Sequence, residues 1–434
     1  MTRIETVIVG GGQAGLAMSY HLSQRGREHL VLERARVAER WRTQRWDSLM
    51  FQFPNWSIEL PGRSYGGTDP DGFWHGSEVL AFIEEYAAWI KAPLRTEVEV
   101  LSLRAASSPG RYLVSTSAGV FEARNVVIAT GPYQRPRVPS LAQGLPPGVV
   151  QVHAGEYRNP QALPPGAVLV VGSGASGCQI AEELFAAGRQ VFFAIGRHRR
   201  APRRYRGHDV FWWRRALGYL DQKAEDTPRE QRQPPPLVTG VGGGHDVDIR
   251  SYAKDGMTLL GHVREIRDGR IALDDDLEES LAAGDRTFDE FTSAVDDYLR
   301  SLDIDAAGAR TPISPRFTPQ SVDGVDVRAS NIRSVVWATG YRLDFRWVEL
   351  PIFDARGEPV QRRGATSTPG IYFLGLAWMQ KVKSSFLFGV GEDAEYLAER
   401  ICEVPAVVEE APSPDGREIR IGLRDEQEPY LPDS

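Results

Sequence analysis

Residues 4–35 read IETVIVGGGQAGLAMSYHLSQRGREHLVLERA, and they hold the parts of a nucleotide-binding turn in order. An apolar run, Val7 to Val9, ends in Gly10-x-Gly12-x-x-Gly15; a helix pattern rich in Ala, Leu and Ser follows; a second apolar run, His29 to Leu32, closes on Glu33. This is a strand–helix–strand unit. Its first glycine makes the tight turn, its second lets the backbone approach a pyrophosphate, and its third packs helix on strand. The phosphates then meet the free amides of a helix N-terminus. Glu33 stands 23 residues after Gly10, where a carboxylate accepts hydrogen bonds from adenosine ribose hydroxyls. Gly10, Gly12, Gln13, Ala14, Gly15 and Glu33 are therefore candidate dinucleotide-binding residues.

A second copy occupies residues 166–197, GAVLVVGSGASGCQIAEELFAAGRQVFFAIGR. Gly172, Gly174 and Gly177 repeat the spacing, with Ser173 and Ser176 inside the turn. The copies differ at one place: Ile195 stands where the first has Glu33. No acid is there to hold a bare ribose. Six arginines follow within ten positions, 197 to 206. A run of charges is often only a solvated face, but arginine beyond this strand is what a 2′-phosphate requires, because guanidinium makes bidentate bonds to phosphate oxygens. The expected contacts to NADPH are Arg197, Arg200 and Arg203.

The chain has 434 residues, enough for two or three domains, with 41% hydrophobic and 25% charged residues. A formal net charge of −7 argues against a nucleic-acid or membrane-surface partner, so the arginine cluster is local. No apolar run approaches a membrane span, and the first strand begins too early to leave room for a signal peptide, so the expected location is cytoplasmic. Cys178 and Cys402 form no Cys-x-x-Cys pair, and the eight histidines show no metal-ligand spacing. Neither a dithiol centre nor a metal is expected.

Two nucleotide sites in one chain mean that one cofactor reduces the other. Residues 124–139, RNVVIATGPYQRPRVP, and 330–345, SNIRSVVWATGYRLDF, are each an apolar strand ending in Ala-Thr-Gly. Such a pair is similar to the crossings in flavoproteins with two dinucleotide-binding domains. The expected fold is α/β: an NADPH-binding Rossmann-like domain inserted into an FAD-binding Rossmann-like domain. The expected segments are 1–155 and 331–402 for FAD, 156–330 for NADPH with a helical insert at about 222–330, and a tail at 403–434. After the strand GIYFLGL, residues 370–376, a helix starting near Phe388 to Gly391 would point at the flavin and stabilise negative charge there. The insert's acids, in LDDDLEESLAAGDRTFDEFTSAVDDYLRSL, read as amphipathic helices facing water rather than the arginines.

These motifs, with ERWRTQRWDSLMFQFP at 39–54 and VHAGEYR at 152–158, resemble the flavin-containing monooxygenases, especially the plant YUCCA type and CzcO-like bacterial flavoproteins. The resemblance spans roughly residues 4 to 402. It departs at the linker pattern Phe-x-Gly-x-x-x-His-x-x-x-Tyr, where His153 and Tyr157 are kept but Pro147 and Val149 replace Phe and Gly. The resemblance implies a flavin 4a-hydroperoxide that delivers one oxygen atom from O2 to a small organic substrate. It places WDSLMFQFPN beside the flavin ring, with Gln52 near the oxygen adduct and Asn55 as the competing amide. It implies further cofactor contacts at Arg34, Arg40, Trp41, Val98, Thr130, Gly131, Thr339, Gly340 and Gly375, and Trp46 as a neighbour. An NADPH oxidase or electron-transfer flavoprotein is the alternative; a disulfide reductase would need a cysteine pair. Trp56, Phe73 and Trp74 are expected at the entrance, facing an aromatic or apolar guest, unless they only pack. The oligomeric state is open, a homodimer included.

Overall fold

The computed structural model describes residues 1–403 apart from 233, 305–316 and 318. In chain order its main elements begin with β1 (Thr2–Val9), α1 (Gln13–Gln24), β2 (His29–Leu32), α2 (Gly76–Trp89), β3 (Leu94–Arg95) and β4 (Gly119–Ile128). There follow β5 (Val150–His153), β6 (Ala167–Val171), α3 (Ala175–Ala186), β7 (Val191–Ala194) and α4 (Val210–Ala216). The last are β8 (Thr258–Leu260), α5 (Leu277–Ser301), β9 (Ile332–Trp337), β10 (Ile371–Phe373) and α6 (Val390–Glu403). The tail expected at 403–434 lies, but for its first residue, outside the described residues.

Two parallel sheets result. In the first, β1 lies between β2 and β4, with β3 and β10 outside them, all parallel. In the second the order is β5-β9-β6-β7-β8, again all parallel. Strands covered on both faces need no polar side, which is why Val7, Ile8, Val168, Leu169 and Val170 are all fully buried. The first sheet packs α1 and α6 on one face, where Leu16, Val390, Leu397 and Ile401 share a core. The two-unit α/β architecture expected from the motifs is the one observed.

Its edges lie elsewhere than the expected segments put them. Val150–His153 and Ile332–Trp337 are both strands of the second sheet, so they fall on the far side of the cuts at 155/156 and 330/331. The region from 222 to 330 is not only a helical insert either, because Thr258–Leu260 is the fifth strand of that sheet. Its acidic stretch forms one helix of 25 residues, α5, with Leu281, Phe288, Phe291, Val295 and Leu299 on the buried stripe.

The chain crosses between the sheets twice, and the crossings are bonded to each other. Arg137 N–H donates to the Gly340 carbonyl at 2.9 Å, and Tyr341–Arg342 pairs antiparallel with Arg135–Pro136. This double strap brings the C-terminal ends of both sets of parallel strands to one cavity, the place where open α/β sheets bind ligands. Among the described residues no helix is long and apolar enough to cross a membrane.

Candidate active site

The two glycine turns are built alike, atom by atom. Gly10 has φ +117° and Gly172 φ +108°, and a Cβ on either would lie 2.5 Å from the carbonyl oxygen of the alanine in an Ala-Thr-Gly segment, Ala129 or Ala338. The third glycines serve packing: a Cβ on Gly15 would sit 1.9 Å from the Gly10 carbonyl oxygen, and on Gly177 1.8 Å from that of Gly172. The second glycines, Gly12 and Gly174, have nothing within 4 Å of that position and face the cavity. Neither α1 nor α3 has a side-chain cap, so the first-turn amides remain open to an anion. Glu33 accepts from Gly11 N–H at 2.8 Å and Ala35 N–H at 3.1 Å, which fixes its carboxylate in the cavity wall. These features fit an adenine dinucleotide at each turn.

A continuous cavity of about 1510 Å³ joins the turns. Most of the residues expected from sequence line it: Gly10, Gly12, Gln13, Ala14, Glu33, Arg34, Arg40, Trp41, Gln52 and Val98 from the first part of the chain. Thr130, Gly131, Gly172, Ser173, Gly174, Ser176, Arg197, Thr339, Gly340 and Gly375 complete them. Gly15 and Gly177 lie behind the turns. Gln13 also ties the start of α1 to the loop before α6, its Nε2 donating to the Ser385 carbonyl at 2.8 Å, and Phe386 to Phe388 of that loop line the cavity.

Two arginines expected on the 2′-phosphate are engaged otherwise. Arg200 pairs with Asp248 at 3.0 Å and Asp285 at 3.1 Å, over the Phe288 ring. Arg203, 1% exposed, binds Asp209 through Nε at 2.8 Å and Nη2 at 2.5 Å. Burial lowers the Arg203 pKa and raises that of Asp209, and each partner's charge opposes the shift. Neither arginine lines the cavity: the insert's Asp248 and Asp285 hold Arg200, and Asp209, six residues on, holds Arg203. The expectation that the insert's acids face water therefore fails for Asp285 and Asp296, which pair with Arg200 and Arg206. Arg197 remains as the cavity-lining phosphate candidate, its side chain 74% exposed and paired at 2.5 Å with the exposed Glu279.

The two amides differ in position. Asn55 is 3% exposed, donates from Nδ2 to the Asp69 carbonyl at 2.9 Å, and lies away from the cavity. Gln52 lines the cavity; its side-chain amide has no hydrogen-bond partner among the described residues, and its carbonyl accepts from Arg203 Nη1 at 2.7 Å. Arg203 is thus a strut under the Gln52 segment. Around it stands an aromatic wall: Trp41–Phe51 at 5.8 Å between centroids, Phe51–Phe53 at 5.2 Å and Phe53–Phe386 at 4.9 Å. The expected entrance aromatics pack elsewhere. Phe73 lies 4.4 Å under the Arg203 guanidinium, Trp74 packs on Tyr65 at 5.2 Å, and Trp56 sits behind Phe388 at 6.2 Å.

The linker histidine is a neutral strut. His153 Nδ1 accepts from Gly155 N–H at 3.1 Å, so Nε2 carries the proton and donates to the Gly340 carbonyl at 3.0 Å. Burial lowers its pKa accordingly. Arg45, Arg137, Arg199, Arg232 and His262 also line the cavity and carry no motif. They come from loops, where neither spacing nor periodicity marks a ligand. Neither cysteine lines it: Cys178 is fully buried inside α3, its thiol pKa pushed far up by burial, and Cys402 lies at the end of α6.

Residues 7–208 match a family model described as pyridine nucleotide-disulphide oxidoreductase, although a thiol pair is missing from the cavity. An uncharacterized CzcO-like oxidoreductase of Geobacillus kaustophilus is 32% identical over 399 residues, covering 91% of this chain and 97% of its own. The probable indole-3-pyruvate monooxygenase YUCCA1 of Arabidopsis thaliana is 32% identical over 181 residues, 41% of this chain and 44% of its own. A flavin monooxygenase variant from Stenotrophomonas maltophilia shares the fold with TM-score 0.62 at 18% identity, covering 93% of this chain and 99% of that one. On the full-length match and the two nucleotide turns, the chain is an oxidoreductase of the flavin-containing monooxygenase family, in its CzcO-like branch.

Proposed function

We propose that this protein is an NADPH-dependent FAD monooxygenase acting on a small organic substrate. The observation that carries the reading is the single cavity joining two uncapped glycine turns along an aromatic wall that holds a free amide and no thiol. FAD, when bound and reduced, supplies the reaction with O2. In the overall balance NADPH gives two electrons, one oxygen atom enters the substrate, and the other leaves as water.

The chain's own residues have the following parts. Gly10, Gly12 and the amides of Gln13 and Ala14 hold the FAD pyrophosphate, and Glu33 its ribose. Gly172, Gly174 and the start of α3 do the same for NADPH. Arg197 exchanges Glu279 for the 2′-phosphate, an easy exchange because an exposed ion pair contributes little. Phe51, Phe53 and Phe386 keep water from the reacting centre. The Gln52 amide donates a hydrogen bond to oxygen at that centre, its backbone held by Arg203.

The test is electron accounting during turnover. With an accepted substrate, NADPH consumption exceeds peroxide formation and the difference appears as oxygenated product; full recovery as peroxide under every substrate would make the protein an oxidase. Arg197→Ala is expected to raise the KM for NADPH about tenfold, the loss of one charge-assisted bond, with that for NADH unchanged. Equal effects on both cofactors would remove Arg197 from the phosphate site.

A further inference from the structure

A separate cavity of about 770 Å³ shares no lining residue with the first. Four cations line it, Lys223, Arg362, Arg363 and Arg400, against the single carboxylate of Glu225, in a chain whose formal net charge is −7. Three parts of the fold meet there. Lys223 and Glu225 come from the segment after α4, and Tyr396 and Arg400 lie one turn apart on α6. Arg362 and Arg363 come from a hairpin, Gln361–Arg362 with Ala365–Thr366, that pairs with β10 at the edge of the first sheet.

Arg363 is the centre of this cavity's wall. It takes the first of the two loop positions of the hairpin at φ +51°, followed by Gly364 at φ +85°. Such a turn favours Asn or Gly there, because a Cβ crowds the backbone at positive φ. The arginine's guanidinium lies 3.8 Å from the centroid of the Tyr396 ring, and Arg400 reaches the same ring at 5.8 Å, so one ring holds two cations close together. Nε of Arg363 is buried, and its guanidinium has no hydrogen bond or ion pair among the described residues. The buried Asp393 feels the Arg363 charge without pairing with it. Arg400 bonds the Tyr396 hydroxyl at 3.5 Å and has no carboxylate partner among the described residues. Gln380, from the loop before α6, also lines the cavity, and its side-chain oxygen is buried without a partner. Lys223 and Arg362 meet Glu225 at 3.9 and 3.5 Å, with all three side chains more than half exposed. Such pairs contribute little and open readily to a stronger anion.

We propose that this cavity binds the diphosphate group of a small molecule. Arg363 and Arg400 flank one phosphate, the Gln380 amide turns its NH2 towards it, and Lys223 and Arg362 leave Glu225 for the other. Cations gathered without matching acids repel one another, and an anion between them removes that repulsion. A single carboxylate engages one guanidinium; a diphosphate has oxygens enough for four cations. The site rests on no part of the monooxygenase reading.

The experiment is calorimetric titration of FAD-loaded protein, with NADP filling one site per chain, by inorganic pyrophosphate, ADP and sulfate at constant ionic strength. Pyrophosphate is expected to bind at least about tenfold more tightly than sulfate. Arg363→Asn, which suits the turn, and Arg400→Met, at an exposed position, are each expected to weaken pyrophosphate at least about tenfold. Both are expected to leave the KM for NADPH within about twofold of wild type. A Kd for ADP below that for pyrophosphate names a nucleotide as the source of the diphosphate, and one above it names free pyrophosphate; either upholds the site. Sulfate binding as tightly as pyrophosphate overturns the proposal, because the cations are then only a diffuse positive surface. A pyrophosphate affinity unchanged in both variants overturns it as well, and its loss in Arg197→Ala would then assign the anion to the second glycine turn. Pyrophosphate binding that depends on Arg363 and Arg400, in a protein that transfers no oxygen, upholds this site and removes the monooxygenase reading instead.

Discussion

Gly10→Ala purifies colourless and takes up added FAD at least about a hundredfold more weakly than wild type, a loss of about 2.7 kcal/mol. Two penalties act together. Alanine at φ +117° is strained, which costs roughly 1–3 kcal/mol. Its Cβ would also lie 2.5 Å from the Ala129 carbonyl oxygen, a backbone atom of the neighbouring crossing that cannot swing aside. The turn must open, and the amides of Gln13 and Ala14 move off the pyrophosphate. Gly172→Ala carries the same two penalties in the second unit, and is expected to stay yellow while losing NADPH. The pair of variants therefore assigns a cofactor to each turn by flavin absorbance and NADPH titration. A yellow Gly10→Ala with wild-type affinity would mean that the first turn does not hold FAD.

Arg203→Met is expected to destabilise the fold by roughly 3–5 kcal/mol, the range for removing one partner of a buried pair. Asp209 would be left buried without its cation, and the Gln52 carbonyl without its donor. Denaturant unfolding at neutral pH measures the loss. Adding Asp209→Leu is expected to recover most of it, short of about 1 kcal/mol, because Asp209 also caps α4 by accepting from Phe211 N–H at 2.8 Å. An Arg203→Met protein as stable as wild type, with NADPH binding lost, would return this arginine to the phosphate site where the sequence suggests it.

That arginine shows where sequence reading stops. A glycine motif announces itself because local backbone geometry permits no other residue, so both turns and Glu33 were legible from spacing, and the two crossings from their likeness to those of two-domain flavoproteins. The partners of an arginine are not local. Asp285 meets Arg200 from 85 residues away, and nothing in either segment marks the pairing. Asn55 and Gln52 look equivalent as amides three residues apart; the short helical turn Asn55–Ser57 buries the first while the bend at Gln52 leaves the second on the cavity. The domain edges were displaced for a related reason. Val150–His153 and Ile332–Trp337 lie 179 residues apart from end to start in the numbering (153 to 332), yet they are neighbours in one sheet, and only the pairing shows that both belong to the second unit.

Reduced flavin in this cavity is expected to react with O2 in a way that serves oxygen transfer. Rapid mixing of the NADPH-reduced protein with O2, followed by absorbance and by a peroxide trap, tests it most directly. Reoxidation is expected in two resolved phases, with peroxide released only in the second, and with Gln52→Ala speeding that release. A single phase that returns the oxidised spectrum at once, with every reducing equivalent recovered as peroxide, would contradict it.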